Sequence, residues 1–321
     1  MPKIDIVIPT YNRSNYLKFA IDSVLKQTCQ EFDLYILDNC SNDNTREVVE
    51  SFSSTKVKYI VNEANLGMVG NWNRALETGG NDFLNILHDD DILEPDFVRK
   101  VLDFYGENGE VAFLHTAAYI VDGNNMILKK HIKNYIPITS SDQFFLNYIK
   151  FGMSIICPSV VFQRSKIPEN LKFEEKYAFT ADVVYFLKCS SYGSVGNINE
   201  PLIRYRAHDN STTKSMFSNF DAKIQDRINH KVFLENEIRK RSLHKYNKLA
   251  NKYFNGALCA DLWFLKCDHY PIHRIAPFLP KIIKTSPSIF SYYSFWKLIV
   301  RLLLPLFLLD IAREYKRNHE G

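Results

Sequence analysis

The sequence predicts an α/β fold: parallel strand–helix–strand units over the first 110 residues, a mixed region after them, and a helical C-terminal region. Three observations predict it. Short β-branched runs alternate with amphipathic stretches at the spacing of crossover units. A polar or acidic cluster follows three of those runs, where open α/β sheets place their sites. From about residue 217 the apolar positions change to helical spacing.

Ile4-Asp5-Ile6-Val7-Ile8 is short and β-branched and ends at Pro9, so it reads as the first strand. The loop Thr10-Tyr11-Asn12-Arg13 follows it. Ser14 is the expected N-cap of a helix whose apolar face is Leu17, Ala20, Ile21, Val24 and Leu25. Phe32–Leu37 is the second strand and ends at Asp38. A turn-rich stretch then leads to a helix from about Thr45 to Phe52. Val57–Val61 is the third strand, Asn71–Thr78 a helix, and Phe83–Leu87 the fourth strand, which runs into His88-Asp89-Asp90-Asp91. Pro95 is expected in the first turn of the helix after it.

Past residue 110, strands are expected at Val111–His115, Ala117–Val121 and Met126–Leu128, with a turn at Asp122–Asn125. Ile155–Phe162 reads as a further strand, bent or at an edge because Pro158 cannot donate to a ladder. Asp182–Cys189 reads as a helix. In the tail, Phe220, Ile224, Ile228 and Val232 form one helical stripe.

Composition narrows the class. The chain has 321 residues, 46% of them hydrophobic, enough for one large core or two modest ones. The first apolar run is short and holds a charge, which fits neither a secretory signal nor a span. Six scattered cysteines form no CxxC pair and read as reduced thiols of a cytosolic protein. Residues 1–200 carry 19 Lys+Arg and 26 Asp+Glu; residues 201–321 carry 21 and 10, a basic end that suits a polyanionic partner. Those basic residues alternate with apolar helix positions and match no nucleic-acid motif, so nucleic acid is not expected as a partner.

The acidic clusters carry the chemistry. Three aspartates in a row after a buried strand repel one another, and a hard divalent cation relieves that cost. Carboxylates suit Mg²⁺ or Mn²⁺, which bridge one or two of them to a substrate diphosphate. In an extended segment Asp89 and Asp91 point the same way, and Asp90 turns elsewhere. The bland alternative is a solvated turn. Asp38 can accept from the N3–H of a uracil ring with Tyr11 against the base, or it can cap a helix.

Five blocks resemble the ordered signature of family 2 glycosyltransferases over roughly residues 3–213. They are Val7-Ile8-Pro9-Thr10-Tyr11-Asn12-Arg13, Leu37 to Thr45, Asn65-Leu66-Gly67, Leu87 to Pro95, and Glu200 to His208 with Asn210 and Ser211. The resemblance implies the GT-A fold, a Rossmann-like mixed sheet flanked by helices. It implies a catalytic domain over 1–215, with a nucleotide-sugar-binding half at 1–110 and an acceptor-binding half at 111–215. A helical region over 216–321 follows. Pro9, Thr10, Tyr11, Asn12 and Asp38 would line the donor pocket, with Asn65, Gly67 and Asn73 nearby. Asp91 would ligate the metal, Asp89 would support it, and His208 would reach the metal or the diphosphate. Asp90 counts with the donor loop but has no role of its own. The family's base sits at a helix start, often as Glu-Asp. Here that segment is Phe179-Thr180-Ala181-Asp182, reduced to one carboxylate, so Asp182 is taken as the base, with Glu174 and Glu175 as fallbacks.

The activity expected is metal-dependent transfer, with inversion, of a hexosyl or N-acetylhexosaminyl group from a nucleotide-sugar. A UDP-sugar is favoured. The acceptor is a hydroxyl of a glycan or lipid-linked molecule, in cell-surface polysaccharide synthesis. A nucleotidyltransferase would need a Gly-rich basic loop after the first strand, and Thr10–Arg13 has no glycine. A non-catalytic sugar-binding module of the same fold would have no use for both the triplet and Asp182. The stretch 298–309 is very apolar, but Arg301 and Pro305 break it, and it is shorter than the roughly 20 residues of a span. With Trp296, Lys297, Arg313, Lys316 and Arg317 around it, residues 296–312 read as a helix lying in an anionic membrane interface or packed on the core. The expected location is the cytoplasmic face of a membrane.

Overall fold

The computed structural model describes residues 2–207 except 134, residues 220–267, and positions 280, 283, 284, 286, 288, 289 and 295. It separates into two compact units, Met1–Ser218 and Asn219–Gly321.

The first unit is built on β1 (Ile4–Thr10), α1 (Ser14–Leu25), β2 (Phe32–Asp38), α2 (Thr45–Glu50), β3 (Val57–Val61), α3 (Gly67–Glu77) and β4 (Phe83–Ile86). Next come β5 (Ile92–Leu93), α4 (Phe97–Asn108), β6 (Phe113–Val121), β7 (Ile127–His131), β8 (Ile138–Thr139) and α5 (Ser141–Phe151). The unit ends with β9 (Val160–Gln163), α6 (Ala181–Cys189) and β10 (Val195–Arg206). One mixed sheet runs β3-β2-β1-β4-β9-β6-β10-β5, with β7 on β6 and β8 on β10. β1 to β4 are parallel, and β9 lies antiparallel between β4 and β6.

β1 is buried at every residue because β2 and β4 flank it and helices cover it. Its one charge, Asp5, is fully satisfied. The carboxylate accepts from Gly80 N (2.8 Å), Asn81 N (2.9 Å) and Asn81 Nδ2 (2.7 Å), and Arg164 Nη2 lies 3.1 Å away. Gly79 (φ +84°) allows this approach, since a Cβ there would stand 2.2 Å from Asp5 Oδ2. Ile4, Ile6 and Ile8 join Leu17, Ile21 and Val24 of α1 in the core.

Several elements differ from expectation. Ser14 is the first residue of α1, not its cap; Asp43 from the β2–α2 loop accepts from Ser14 N (3.1 Å) instead. α3 begins a turn earlier than Asn71, at Gly67. Pro95 precedes the N-cap of α4, Asp96. The strands expected at 111–115 and 117–121 are one strand, β6. Pro158 lies in a 3₁₀ turn (Cys157–Ser159), so β9 starts after it and sits inside the sheet, not at an edge. β8, α5 and β10 had no counterpart in the sequence reading.

The second unit holds α7 (Phe220–Lys240) and α8 (Asn247–Cys267). Ile224 and Ile228 are buried, but Val232 from the same expected stripe is 47% exposed. Residues 296–312 lie outside the described residues. No helix among the described residues is long and apolar enough to cross a membrane.

Candidate functional site

The C-terminal ends of β1, β2 and β4 lie side by side, because Thr10 pairs with Asp38 and Val7 with Ile86. The Asp triplet therefore meets the β1–α1 loop. His88–Asp91 is a closed turn, with Asp91 N donating to His88 O (3.2 Å). It is not the extended segment expected. A turn joins positions i and i+3, so the Asp91 carboxylate comes to His88, Nδ1 to Oδ2 3.6 Å, and not to Asp89.

The turn is buried: Asp89, Asp90 and Asp91 are 5%, 8% and 1% exposed. Asp89 is engaged on both oxygens. Thr10 Oγ1 donates to Oδ2 (2.8 Å), and Arg13 Nη1 to Oδ1 (3.3 Å). Arg13 Nη1 also reaches Asp90 Oδ2 (2.7 Å). Arg206, at the end of β10, binds the other side. Its N–H donates to Asp91 Oδ1 (2.8 Å) and its Nε to Asp90 O (2.8 Å). Tyr16 stacks under its guanidinium at 5.0 Å.

Burial, then repulsion from Asp90, pushes the Asp89 carboxyl up to about 7 in spite of Arg13 and Thr10. The same two causes hold Asp91 well above the usual carboxylate range. Desolvation lowers His88, which favours the neutral imidazole. Trp72 stacks on that ring at 5.6 Å and 9°.

His88, Asp90 and Asp91 each offer a ligand atom, all within 4.8 Å of one another. Asp91 Oδ2 and His88 Nε2 are buried with no hydrogen-bond partner among the described residues. Buried polar atoms are nearly always paired, so these orphans and the donor set fit a hard cation. The cluster differs from the expected set: Asp90 and His88 enter it, and Asp89 braces Thr10 and Arg13. His208 lies outside the described residues.

Asp38 is 2% exposed and accepts from Ser41 N (2.9 Å) and Tyr59 Oη (2.5 Å). Tyr11, one residue past the end of β1, is 43% exposed. Asn12 takes a left-handed φ of 52°, which asparagine tolerates, and its Oδ1 accepts from Asn42 N (2.8 Å). Ser41 Oγ accepts from Asn12 N (2.9 Å), so the two loops are tied together. Pro9 is a buried strand residue beside Leu37.

Asn65 and Gly67 belong to a network centred on Asn39. Asn39 Nδ2 donates to Asn65 Oδ1 (2.8 Å) and Gly67 O (3.3 Å). Asn39 Oδ1 accepts from Leu66 N (2.9 Å) and Asn62 Nδ2 (3.1 Å). Asn73 clamps the Phe173 backbone from both ends of its amide, at 3.0 and 2.8 Å.

Asp182 is the second residue of α6, and its Oδ1 accepts from Val183 N (2.8 Å). Burial raises its carboxyl against that bond. The charges of Asp91 and Asp182 both act on Cys157 and Tyr205; burial first, then Asp91, pushes the Tyr205 phenol up to about 12. The triplet and Asp182 thus share neighbours. Glu174 is instead engaged with Lys176 (2.5 Å) and Lys188, and Glu175 is exposed. Arg13, Tyr16, Trp72, His88, Asn39 and Arg206 were not singled out from sequence. Arg13, Asn39, His88 and Arg206 stand inside the signature blocks, where they had no assigned role, and Tyr16 and Trp72 stand outside them.

The family model of glycosyl transferase family 2 matches residues 5–166, half of the chain. The chain belongs to glycosyl transferase family 2. Among curated relatives, an uncharacterized glycosyltransferase of Methanocaldococcus jannaschii, MJ1057, is 27% identical over 84% of this chain and 87% of its own. The Escherichia coli UDP-Glc:alpha-D-GlcNAc-diphosphoundecaprenol beta-1,3-glucosyltransferase WfgD is 27% identical over 67% of this chain and 81% of its own. Among solved structures, S. aureus TarS in complex with UDP superposes with a TM-score of 0.57 at 15% identity, over 91% of each chain. The mannosyltransferase PcManGT of Pyrobaculum calidifontis, in complex with GDP-Man and Mn²⁺, gives 0.53 at 14% identity over 94% of this chain and 87% of that one. The fold is that of the GT-A glycosyltransferases, carrying a helical C-terminal region.

Proposed function

We propose that this family 2 enzyme transfers a sugar from a nucleotide-diphosphate donor, a UDP-sugar by preference, to a hydroxyl of a glycan or lipid-linked acceptor, with inversion. One observation carries the reading: a buried Asp turn with orphaned ligand atoms lies near enough to Asp182 that the charges of both act on Cys157 and Tyr205.

Asp91, Asp90 and His88 would hold Mn²⁺ or Mg²⁺. His208 follows two residues after Arg206, whose N–H binds Asp91, and is kept as a further ligand. A cation held there would neutralise charge on the departing nucleoside diphosphate. Asp89 positions Thr10 and Arg13. Asp38 is fixed by Ser41 and Tyr59 with lone pairs left for a uracil N3–H, and Tyr11 has the exposure to cover the base. Asn12, Asn65 and Gly67 hold the donor-side loops through their ties to Asn42 and Asn39. Asn73 is reassigned as a brace for the segment before α6.

Asp182 takes the proton from the acceptor hydroxyl as its oxygen attacks the anomeric carbon. A carboxylate raised by burial is a stronger base than a free one. One base and one displacement give inversion. The catalytic domain is assigned to 1–215 and the helical region to 216–321. A helix at 296–312 is proposed to hold the enzyme at the cytoplasmic face of a membrane. WfgD, whose named acceptor is carried on diphosphoundecaprenol, supports a lipid-linked acceptor.

The test is a thermal-shift screen of nucleotide-sugars with and without Mn²⁺. A bound donor raises stability by mass action. One nucleotide class is expected to stabilise the protein, more strongly with Mn²⁺. Stabilisation by none of them contradicts the reading.

A further inference from the structure

The exposed apolar side chains of this protein are not scattered. Of the thirteen large hydrophobic residues that are exposed among those described, seven fall between 126 and 151. Met126, Leu128, Ile136 and Phe151 are 66%, 61%, 63% and 63% exposed. Ile127 and Leu128 are neighbours on one strand, so both faces of the β6–β7 hairpin carry apolar side chains into solvent.

These residues are held together in space. β7 pairs with the C-terminal half of β6, from Ala118 to Val121. His131 Nε2 lies 2.7 Å from Ser154 O, and Tyr135 Oη is hydrogen-bonded to Ser154 Oγ. That brings the end of β7 and the segment after it to the residues that follow α5, next to Phe151. Asn197 N donates to Pro137 O (2.8 Å), which fixes the far end on β10.

The same surface is basic. Residues 123–141 contain Lys129, Lys130 and Lys133 and no Asp or Glu. Lys150 lies beside Phe151, its ammonium 4.8 Å from the ring centre. None of these four lysines forms an ion pair among the described residues. Several lysines elsewhere in the unit are matched, as in Lys58–Asp33, Lys100–Glu200 and Lys172–Glu77. An apolar ribbon with unmatched lysines complements one surface: acyl chains below a layer of phosphates. A second copy fits poorly, because a twofold contact would set four lysines against four.

We propose that the β6–β7 hairpin and the segment after it dock the catalytic unit on an anionic lipid surface. The apolar side chains enter the headgroup boundary and the lysines sit at the phosphates. Entry is shallow, because among the described residues no strand pairs with the outer edge of β7, and its backbone groups need water or phosphate partners. The turn of this hairpin touches the candidate site: Arg206 Nη1 donates to Gly123 O (3.0 Å), and Arg206 N to Asp91. The docked face therefore adjoins the triplet, and a lipid-linked acceptor would reach the site along the membrane plane. This last use rests on the glycosyl-transfer reading; the docking does not.

The test is co-sedimentation of the full chain with vesicles of phosphatidylcholine, alone or mixed with phosphatidylglycerol. Wild type, the triple variant Lys129→Glu/Lys130→Glu/Lys133→Glu and the pair Ile127→Ser/Leu128→Ser are compared. All these substitutions fall on the exposed ribbon, so folding is checked by melting and donor binding by thermal shift, with both expected unchanged. Wild type is expected to bind the mixed vesicles, more weakly as salt rises. The triple variant should lose at least about tenfold in partitioning, given three charges near the surface, and the apolar pair should also bind less. Equal binding of the triple variant and wild type overturns the proposal and assigns any membrane binding to the C-terminal residues. Equal binding of wild type to uncharged vesicles, or none to either, also overturns it. So does a wild-type dimer in sedimentation that the triple variant dissociates. Donor stabilisation is read separately, so failure here leaves the transfer reading standing.

Discussion

Asp91→Asn removes one negative charge from a buried cluster and keeps its shape. Asp91 lies beside Asp90, and burial and that repulsion hold its carboxyl well above the usual carboxylate range. Asp91 is 1% exposed, and its Oδ2 has no hydrogen-bond partner among the described residues. In the variant, the oxygen of the new side-chain amide still accepts from Arg206 N. The amide nitrogen, standing where Oδ2 was, lies 3.6 Å from His88 Nδ1 and donates to it once the two close by about half an ångström. A buried unpartnered polar group costs about 1–3 kcal/mol. Without metal, the variant should therefore melt above wild type, by roughly 2–10 °C for a unit of this size. With Mn²⁺ the order should reverse. Wild type gains about 2.7 kcal/mol at a hundredfold excess over Kd, and the variant gains little. The assay is a pair of melting curves, each with and without Mn²⁺. A metal-free variant that melts below wild type would refute the electrostatic reasoning. Equal Mn²⁺ shifts in both would refute the ligand assignment.

Three further outcomes are expected. Arg206→Met keeps the backbone N–H bond to Asp91 but removes the guanidinium bonds to the backbone oxygens of Asp90, Asp122 and Gly123, and urea unfolding should register a loss of about 1–3 kcal/mol; no measurable loss would show the guanidinium is dispensable. Asn73→Ala breaks both bonds to Phe173 and should cost about 1–3 kcal/mol with donor affinity unchanged, whereas weakened donor binding would restore Asn73 to the pocket. His115 is buried, which lowers its imidazole to about 4. The unfolded chain, near 6.5, protonates first. His115 thus takes nothing from stability above pH 6.5 and progressively more as pH falls toward 4. Between pH 7 and 5 wild type should lose about 2 kcal/mol more than His115→Gln, and parallel losses would contradict the assignment.

Much of the first half could be read from the chain because its strands are local signals. β1 to β4 are short apolar runs with turn residues at their ends, and a crossover sheet puts those ends on one rim. The rest depended on long-range pairing. β10 carries Asn197, Asn199, Glu200 and Pro201 in its middle, which masks a strand that β6 holds in register through irregularities. β9 looked like an edge because Pro158 was read as part of it, whereas Pro158 lies in the turn before it. The triplet's position was legible, but its geometry was not. A period of two pairs Asp89 with Asp91, while the turn closed by Asp91 N and His88 O pairs Asp91 with His88. No sequence pattern marks that choice. The Arg206 contact spans 115 positions and the Asn73 clamp 100, beyond any local rule.

The most direct measurement is the release of nucleoside diphosphate from the donor that stabilises the protein best, in the presence of acceptor, by wild type and Asp182→Asn. If Asp182 is the base, turnover falls at least about a hundredfold, and the thermal shift with donor and Mn²⁺ stays as in wild type. Near-normal turnover in Asp182→Asn, with donor binding intact, would contradict the site as assigned.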